Sequence, residues 1–156
     1  MVPSRPPLSV PFSDAALRTT LERLEGEWDD FQTARDRDAV YGYLTAIFEV
    51  GTWWILERKA AENARRALSL SGHIIAVGSQ EPFASLILCT ADPKKVDYRT
   101  RSKWSRVLRY AAKRKRWDET LTAFVKRKGG INKCAGRFAR RLGRGRPHQA
   151  LGRIAK

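Results

Sequence analysis

Apolar residues recur every three or four positions along most of this chain, which is the spacing of one face of an α-helix. The first such run is Leu17, Leu21, Leu24, Trp28 and Phe31. Because acidic residues lie between them, the pattern predicts an amphipathic helix that begins at Ser13 or Asp14 and ends near Thr33. The sequence has no internal repeat and no βαβ alternation, so we predict an all-α fold with at most one strand.

A second apolar pattern begins at Asp36 or Asp38 and continues to Gly72, which we expect to end the helix in the C′ position. This stretch is apolar around most of its circumference between residues 40 and 56. A helix of that kind packs on two sides. We expect the first helix on one side, giving an acidic and aromatic helical hairpin over residues 13–71. The other side would contact the C-terminal half or another copy of the chain.

Two segments flank this hairpin. Residues 1–12 contain four prolines and are predicted to form a Pro-rich tail. Residues 72–96 are predicted to be a linker with a short helix that starts between Ser79 and Pro82 and uses Phe83, Leu86 and Ile87 as its core face. The run from His73 to Gly78 is either one edge strand or a connector.

Charge divides the chain into two unlike halves. The net charge is +15, from 31 Lys and Arg against 16 Asp and Glu. Residues 1–92 hold 9 basic and 13 acidic residues, a net −4, whereas residues 93–156 hold 22 basic and 3 acidic residues, a net +19. Such asymmetry is typical of a polyanion-binding module attached to another unit.

The basic half is predicted to be a three-helix unit over residues 97–143, followed by a basic flexible tail over 144–156. Asp97 and Asp118 are the expected caps of its first two helices, and Gly129-Gly130 ends the second. Two basic faces follow from helical spacing. The face expected on the first helix consists of Arg99, Lys103, Arg106, Tyr110 and Lys113, and the row expected on the third consists of Lys133, Arg137, Arg140 and Arg144.

The segment LTAFVKRKGGINKCAGRFARRLG, residues 121–143, resembles the helix-turn-helix superfamily, in particular homeodomain-like bacterial versions with a GG-Asn turn before an Ala-containing recognition helix. The resemblance implies that the second helix enters the major groove of DNA. It implies base or phosphate contacts by Asn132, Lys133, Arg137, Arg140, Arg141 and Arg144. Further backbone contacts are expected from Arg99, Lys103 and Arg106 and from the run Lys113, Arg114, Lys115 and Arg116.

Tryptophans are expected mainly in the core. We interpret Trp28, Trp53 and Trp54 as packing residues. Trp117 follows four consecutive cations, and we prefer to interpret it as a core residue that closes the turn between two helices. The alternative is that it stacks on an unpaired base.

The sequence predicts no metal site, no cofactor and no enzyme. Cys89 and Cys134 match no zinc spacing, and the two histidines have no partner at the spacing of a metal site or a catalytic triad. The one enzymatic alternative is a metal-dependent nuclease that uses Glu57 and Lys59. It requires residues 53–56 to form a strand that faces an upstream aspartate such as Asp38.

We therefore expect a DNA-binding regulator or accessory factor that prefers double-stranded DNA, with RNA as a further partner. The alternative is a non-catalytic subunit that binds RNA or another nucleic acid within a ribonucleoprotein or multiprotein complex, and a nuclease comes third. Residues 14–70 are the expected surface for a homodimer or a protein partner. With no signal peptide or membrane span recognised, the expected location is the cytoplasm, with no membrane partner.

Overall fold

The computed structural model describes residues 13–73 and 81–144, the last four of these by their backbone only. Within these ranges the chain forms seven helices and no strand, which confirms the predicted all-α class. The helices are α1 (Asp14–Thr33), α2 (Val40–Leu56), α3 (Ala60–Leu70), α4 (Pro82–Thr90), α5 (Tyr98–Arg114), α6 (Leu121–Arg127) and α7 (Ile131–Arg144).

The first helix forms as its sequence predicts. The Ser13 side chain accepts a hydrogen bond from the Ala16 backbone N–H at 3.1 Å and so satisfies one of the free donors at the helix start. Four of the five predicted apolar positions are buried, and Phe31 is half-buried. The ring of Trp28 lies edge-on to both Phe31 and Tyr43, with centroids 5.5 and 5.2 Å apart.

The long second helix that the sequence predicts is in fact two helices. After α2 the backbone of Arg58 takes a positive φ of 58°. The N–H of Lys59 bonds to the Trp54 carbonyl and that of Arg58 to the Ile55 carbonyl, both at 3.0 Å. These two bonds form a Schellman motif, which ends a helix by satisfying its last carbonyls. A glycine usually occupies this position, so an arginine gave no sign of the break.

The described chain falls into two compact units: unit 1 comprises its residues up to Asp97, and unit 2 its residues from Tyr98 onward. Unit 1 contains α1 to α4. Helix α4 packs against the other three helices, and Phe83, Leu86 and Ile87 on its predicted core face are almost completely buried. The short helix expected within residues 72–96 is therefore part of the core of unit 1.

Close contacts fix α4 within this core. A Cβ added to Gly51 of α2 would meet the ring of Phe83 2.6 Å from its Cδ1 atom, so only glycine allows this approach. Thr90 donates a hydrogen bond to the Leu86 carbonyl at 2.8 Å, and its oxygen is 2.8 Å from the hydroxyl of Tyr43. The Tyr43 hydroxyl is therefore the donor in that pair. Burial raises the pKa of Tyr43 far above its ordinary value, which keeps this donor protonated.

Unit 2 contains α5, α6 and α7. The apolar residues that helical spacing predicts for its core are buried: Trp104, Val107, Leu108 and Ala111 on α5, Leu121, Phe124 and Val125 on α6, and Ala135 and Phe138 on α7. Leu142, predicted together with the last two, lies where only the backbone is described. Cys134, which the pattern did not place in the core, is buried as well. Helices α5 and α7 make the most extensive contact in the unit. The expected cap of α6 at Asp118 is wrong, since Thr120 caps that helix and accepts from the Ala123 N–H at 3.1 Å.

Some predictions fall on residues outside the described ranges. They are the Pro-rich tail at 1–12, most of the strand or connector at 73–78, and the basic tail beyond residue 144. Among the helices that are described, none combines the length and the apolar character needed to cross a membrane.

Candidate nucleic-acid interface

The turn between α6 and α7 depends on two glycines. Gly129 and Gly130 have φ values of +101° and +103°. The N–H of Gly130 bonds to the Val125 carbonyl at 2.9 Å and that of Gly129 to the Lys126 carbonyl at 3.1 Å, which completes a second Schellman motif. Because side-chain-bearing residues rarely adopt such φ values, the glycine pair both ends α6 and sets the direction in which α7 begins.

Two cations of α7 lie back over this turn. The Arg137 guanidinium donates from Nη1 to the carbonyl of Lys128 at 2.7 Å. That carbonyl lies at the C-terminal end of α6, where the helix dipole favours a positive charge. The Lys133 side chain runs along Gly129, since a Cβ added to that glycine would lie 2.6 Å from Lys133 Cδ. Arg137, predicted to read a base, thus also holds the two helices together.

The outer face of α7 carries the remaining predicted contacts. Asn132, Lys133 and Arg140 are exposed, and they lie opposite the buried Cys134 and Phe138. Arg141 and Arg144 lie on the last turn of α7, where only the backbone is described. Lys133 and Arg140 make no hydrogen bond or ion pair with the described residues.

The basic face predicted for α5 is partly covered by the rest of unit 2. Tyr110, placed on that face by its spacing, is buried and packs on Phe124 of α6 with ring centroids 5.6 Å apart. Lys103 and Arg106 are half-buried, and Arg106 Nε is enclosed without a hydrogen-bond partner among the described residues. Helical spacing groups Tyr110 with these cations, but α6 packs over that side of α5 and buries the ring.

The cationic run at the end of α5 divides into two pairs. Lys113 and Arg114 are exposed, as is Arg99 at the other end of the helix. Lys115 instead donates from Nζ to the carbonyls of Arg116 and Glu119 at 2.8 and 2.7 Å. Arg116 forms an ion pair with Asp118 at 3.3 Å. The first pair is thus available to a partner, while the second pair braces the loop between α5 and α6.

The two acidic residues of α5 to α7 and their loops are both paired with arginines. Residues 98–144 contain 17 Lys and Arg against two carboxylates, Asp118 and Glu119. The Arg127 guanidinium donates two hydrogen bonds to the Glu119 carboxylate, at 3.2 and 2.8 Å. These bonds and the charge of Arg127 lower the pKa of Glu119 and keep it ionised. Neither carboxylate is left to neutralise the remaining cations.

Two tryptophans are more exposed than predicted. Trp117 is 94% exposed, so its interpretation as a core residue is wrong. The alternative interpretation was that Trp117 stacks on an unpaired base. Its position directly after four cations was the sequence feature that suggested this. Trp53 in unit 1 is 41% exposed, although Trp28 and Trp54 are buried as predicted.

Residues that could support other chemistry do not converge. Among the described residues no group of three or more His, Cys, Asp or Glu side chains could hold a metal ion. Burial raises the pKa of Cys89 to about 11, so its thiol stays protonated and unreactive at neutral pH. Residues 53–56 belong to helix α2, so the strand that the nuclease interpretation requires is not formed there.

Helices α6 and α7, the glycine turn between them and the exposed cations around them therefore make up the strongest candidate site in the described chain. Comparisons with protein-family models, with characterised proteins and with solved structures gave no match for this chain.

Proposed function

We propose that this protein binds nucleic acid, double-stranded DNA in preference, through unit 2. The observation that carries the proposal is the packed three-helix unit with 17 Lys and Arg whose two carboxylates are both already paired. Repulsion within such a unit destabilises it, and a polyanion relieves that repulsion. Neutralising phosphates also releases condensed counterions, which is a strong driving force at low salt.

The finer proposal is a helix-turn-helix mode of binding. Helix α6 would brace against the backbone while α7 enters the major groove with Asn132, Lys133 and Arg140 toward the DNA. Arg137 supports this arrangement by tying the middle of α7 to the end of α6. A rigid angle between the two helices is what groove entry requires. The biological role would be that of a regulator or an accessory factor in DNA transactions.

The test is the salt dependence of binding to matched duplex DNA, measured by fluorescence anisotropy. Each phosphate contact contributes a slope of about −0.9 to log K against log salt. The double variant K133A/R140A removes two exposed cations that make no hydrogen bond or ion pair with the described residues. We expect it to weaken binding and to make the slope shallower by about 1.8 if each residue contacts one phosphate.

The matched control removes the same charge from unit 1. Arg18 and Arg23 are both exposed on α1, so R18A/R23A also lowers the net charge by two. We expect its affinity and slope to stay near the wild-type values. If the two double variants weakened binding equally, only net charge would matter and the proposed interface on α7 would be wrong.

A second candidate is an RNA-binding subunit of a larger assembly. Large apolar side chains at the end of α2 favour a protein partner for unit 1, since Ile55 is 43% and Leu56 70% exposed. The same surface would also serve a homodimer. Running the anisotropy series with double-stranded RNA separates the candidates, because a clear preference for RNA would favour the subunit over the DNA regulator.

A further inference from the structure

The loop between α5 and α6 is a tightly braced turn. The Glu119 N–H bonds to the Arg116 carbonyl at 3.3 Å, and the Arg116 N–H bonds back to Glu119 Oε1 at 3.2 Å. Lys115 Nζ bridges the carbonyls of the same two residues. Glu119 is in turn held by Arg127 at the end of α6. The turn therefore has a fixed shape without any contribution from the side chain of Trp117.

Trp117 lies at the second position of this turn, and its ring projects into solvent. It is 94% exposed, and it makes no hydrogen bond or ring contact with the described residues. Tryptophan is among the most buried residue types on average, so a fully hydrated indole on a rigid turn is unusual. Within the described part of the chain the ring makes no contact that would stabilise the fold, and recognition of a partner would account for its position.

Positive charge close to Trp117 in the sequence indicates the kind of partner. Lys113 and Arg114 are exposed on the last turn of α5, directly before the braced loop. An aromatic ring next to cations is the combination that binds nucleic acid with unpaired bases, because the cations hold the phosphates while a base stacks on the ring. A base paired within a duplex offers no free face to such a ring.

We propose that Trp117 stacks on an unpaired nucleobase, so that the preferred substrate is a duplex that contains an unpaired base, such as a bulge, gap or overhang. This inference rests on the proposed function, since unit 2 supplies the duplex binding. It deepens that function by naming the class of nucleic acid. Lys113 and Arg114 would hold the phosphates on either side of the unpaired base.

The test uses the full chain, a blunt DNA duplex and the same duplex with one unpaired 2-aminopurine. The wild-type protein is expected to bind the second duplex about 5- to 150-fold more tightly, as the stacking of one base predicts. Its binding should also quench the 2-aminopurine fluorescence. W117A should lose the preference and the quenching while it keeps its affinity for the blunt duplex, and W117F should retain much of both.

Controls separate this inference from the proposed function. W117A should have the circular dichroism and melting temperature of the wild type, because the ring packs on none of the described residues. If the wild type bound both duplexes equally, or if W117A kept the preference, stacking by Trp117 would be refuted while duplex binding stood. Equal weakening of both duplexes by W117A would also refute it. No binding to either duplex would overturn the proposed function itself.

An anionic membrane surface is the other partner that cations beside a tryptophan suit. Phosphatidylserine vesicles therefore complete the experiment. If W117A abolished vesicle binding but left the preference among the two duplexes intact, the ring would serve a lipid surface and the proposal would be wrong. Absence of vesicle binding by the wild type, together with the loss of preference in W117A, would support the nucleobase.

Discussion

Arginine and lysine residues of unit 2 differ in what surrounds their charged groups. Arg137, Lys115 and Arg127 are bound to carbonyl or carboxylate oxygens within the unit. Lys133 and Arg140 have no such partner among the described residues. Replacing a residue of the first kind removes a bond within the unit as well as the charge. Substitution of the second kind therefore tests binding more directly, and the K133A/R140A variant keeps the Arg137 hydrogen bond.

Glu119 gives a pH-dependent prediction at this scale. Its pKa is lowered in the folded chain by the bonds from Arg127, so its contribution to stability is complete above the ordinary glutamate pKa of about 4.3. The contribution is lost as pH falls through the lower folded value. We expect E119Q to melt below the wild type at neutral pH, and the difference between the two to vanish in acid.

The measurement is thermal unfolding of both proteins across a pH series at constant salt. Glu22 of α1 is exposed, so E22Q provides a matched control in which the same charge is removed from unit 1. A melting difference between wild type and E119Q that persisted well below pH 4, or that was equal for E22Q, would contradict the role given to the Glu119–Arg127 pair.

At the scale of elements, three helices end in the same way. Helices α2, α3 and α6 each close with a Schellman motif, at Arg58, Gly72 and Gly129, all with positive φ. Two of these ends have the glycine that sequence reasoning looks for. The third has an arginine, at a cost of about 1–2 kcal/mol for the left-handed backbone. The apolar pattern simply continues past that break, so periodicity alone could not reveal it.

The turn before α7 leads to a paired prediction. Gly129→Ala places a Cβ on a backbone with φ of +101° and should destabilise the protein by about 1–3 kcal/mol. Gly136→Ala lies in the interior of α7, where the added Cβ makes only an ordinary contact with Arg140 at 3.5 Å. It should stabilise the protein by about 1 kcal/mol.

Urea denaturation at equilibrium measures both changes. Opposite signs are expected from the same chemical substitution, so any general effect of adding a methyl group cancels in the comparison. If both variants were stabilised, the positive φ at Gly129 would not be required and the turn would adopt another conformation in solution.

For the molecule as a whole, the separation of charge follows the division into units. The unit 2 cations have only two carboxylates among them in residues 98–144, whereas unit 1 carries most of the acidic residues. Between about 0.1 and 1 M salt the Debye length falls from about 10 to about 3 Å, which screens repulsion between cations. Added sodium chloride should therefore stabilise unit 2 more than unit 1.

Amide hydrogen exchange read out by mass spectrometry tests this prediction, because it reports on each helix separately. Peptides from α5 and α7 should become more protected as salt rises, and peptides from α1 and α2 should change less. An equal increase of amide protection in both units would indicate a general effect of salt and would contradict the prediction. A loss of protection confined to α5 and α7 would show that attractive ion pairs outweigh repulsion there.

The sequence by itself determined the all-α class, the core of nearly every helix and the basic character of unit 2. These follow from periodicity and composition, which are local properties that each segment carries with it. Examples of such predicted core residues are Leu17, Leu21 and Leu24 on α1, and Trp104, Val107 and Leu108 on α5. The glycine turn before α7 was also readable, since few residues other than glycine tolerate its backbone.

Tertiary structure alone decided which of the periodic side chains face solvent. Tyr110 and Trp117 both follow basic stretches, yet α6 covers the first and a braced turn exposes the second. Arg137 shares a helical face with Lys133, but a carbonyl at the end of α6 accepts its hydrogen bond. Whether a side chain is buried or hydrogen-bonded depends on which helix packs against it. That packing is decided by residues far apart in the sequence.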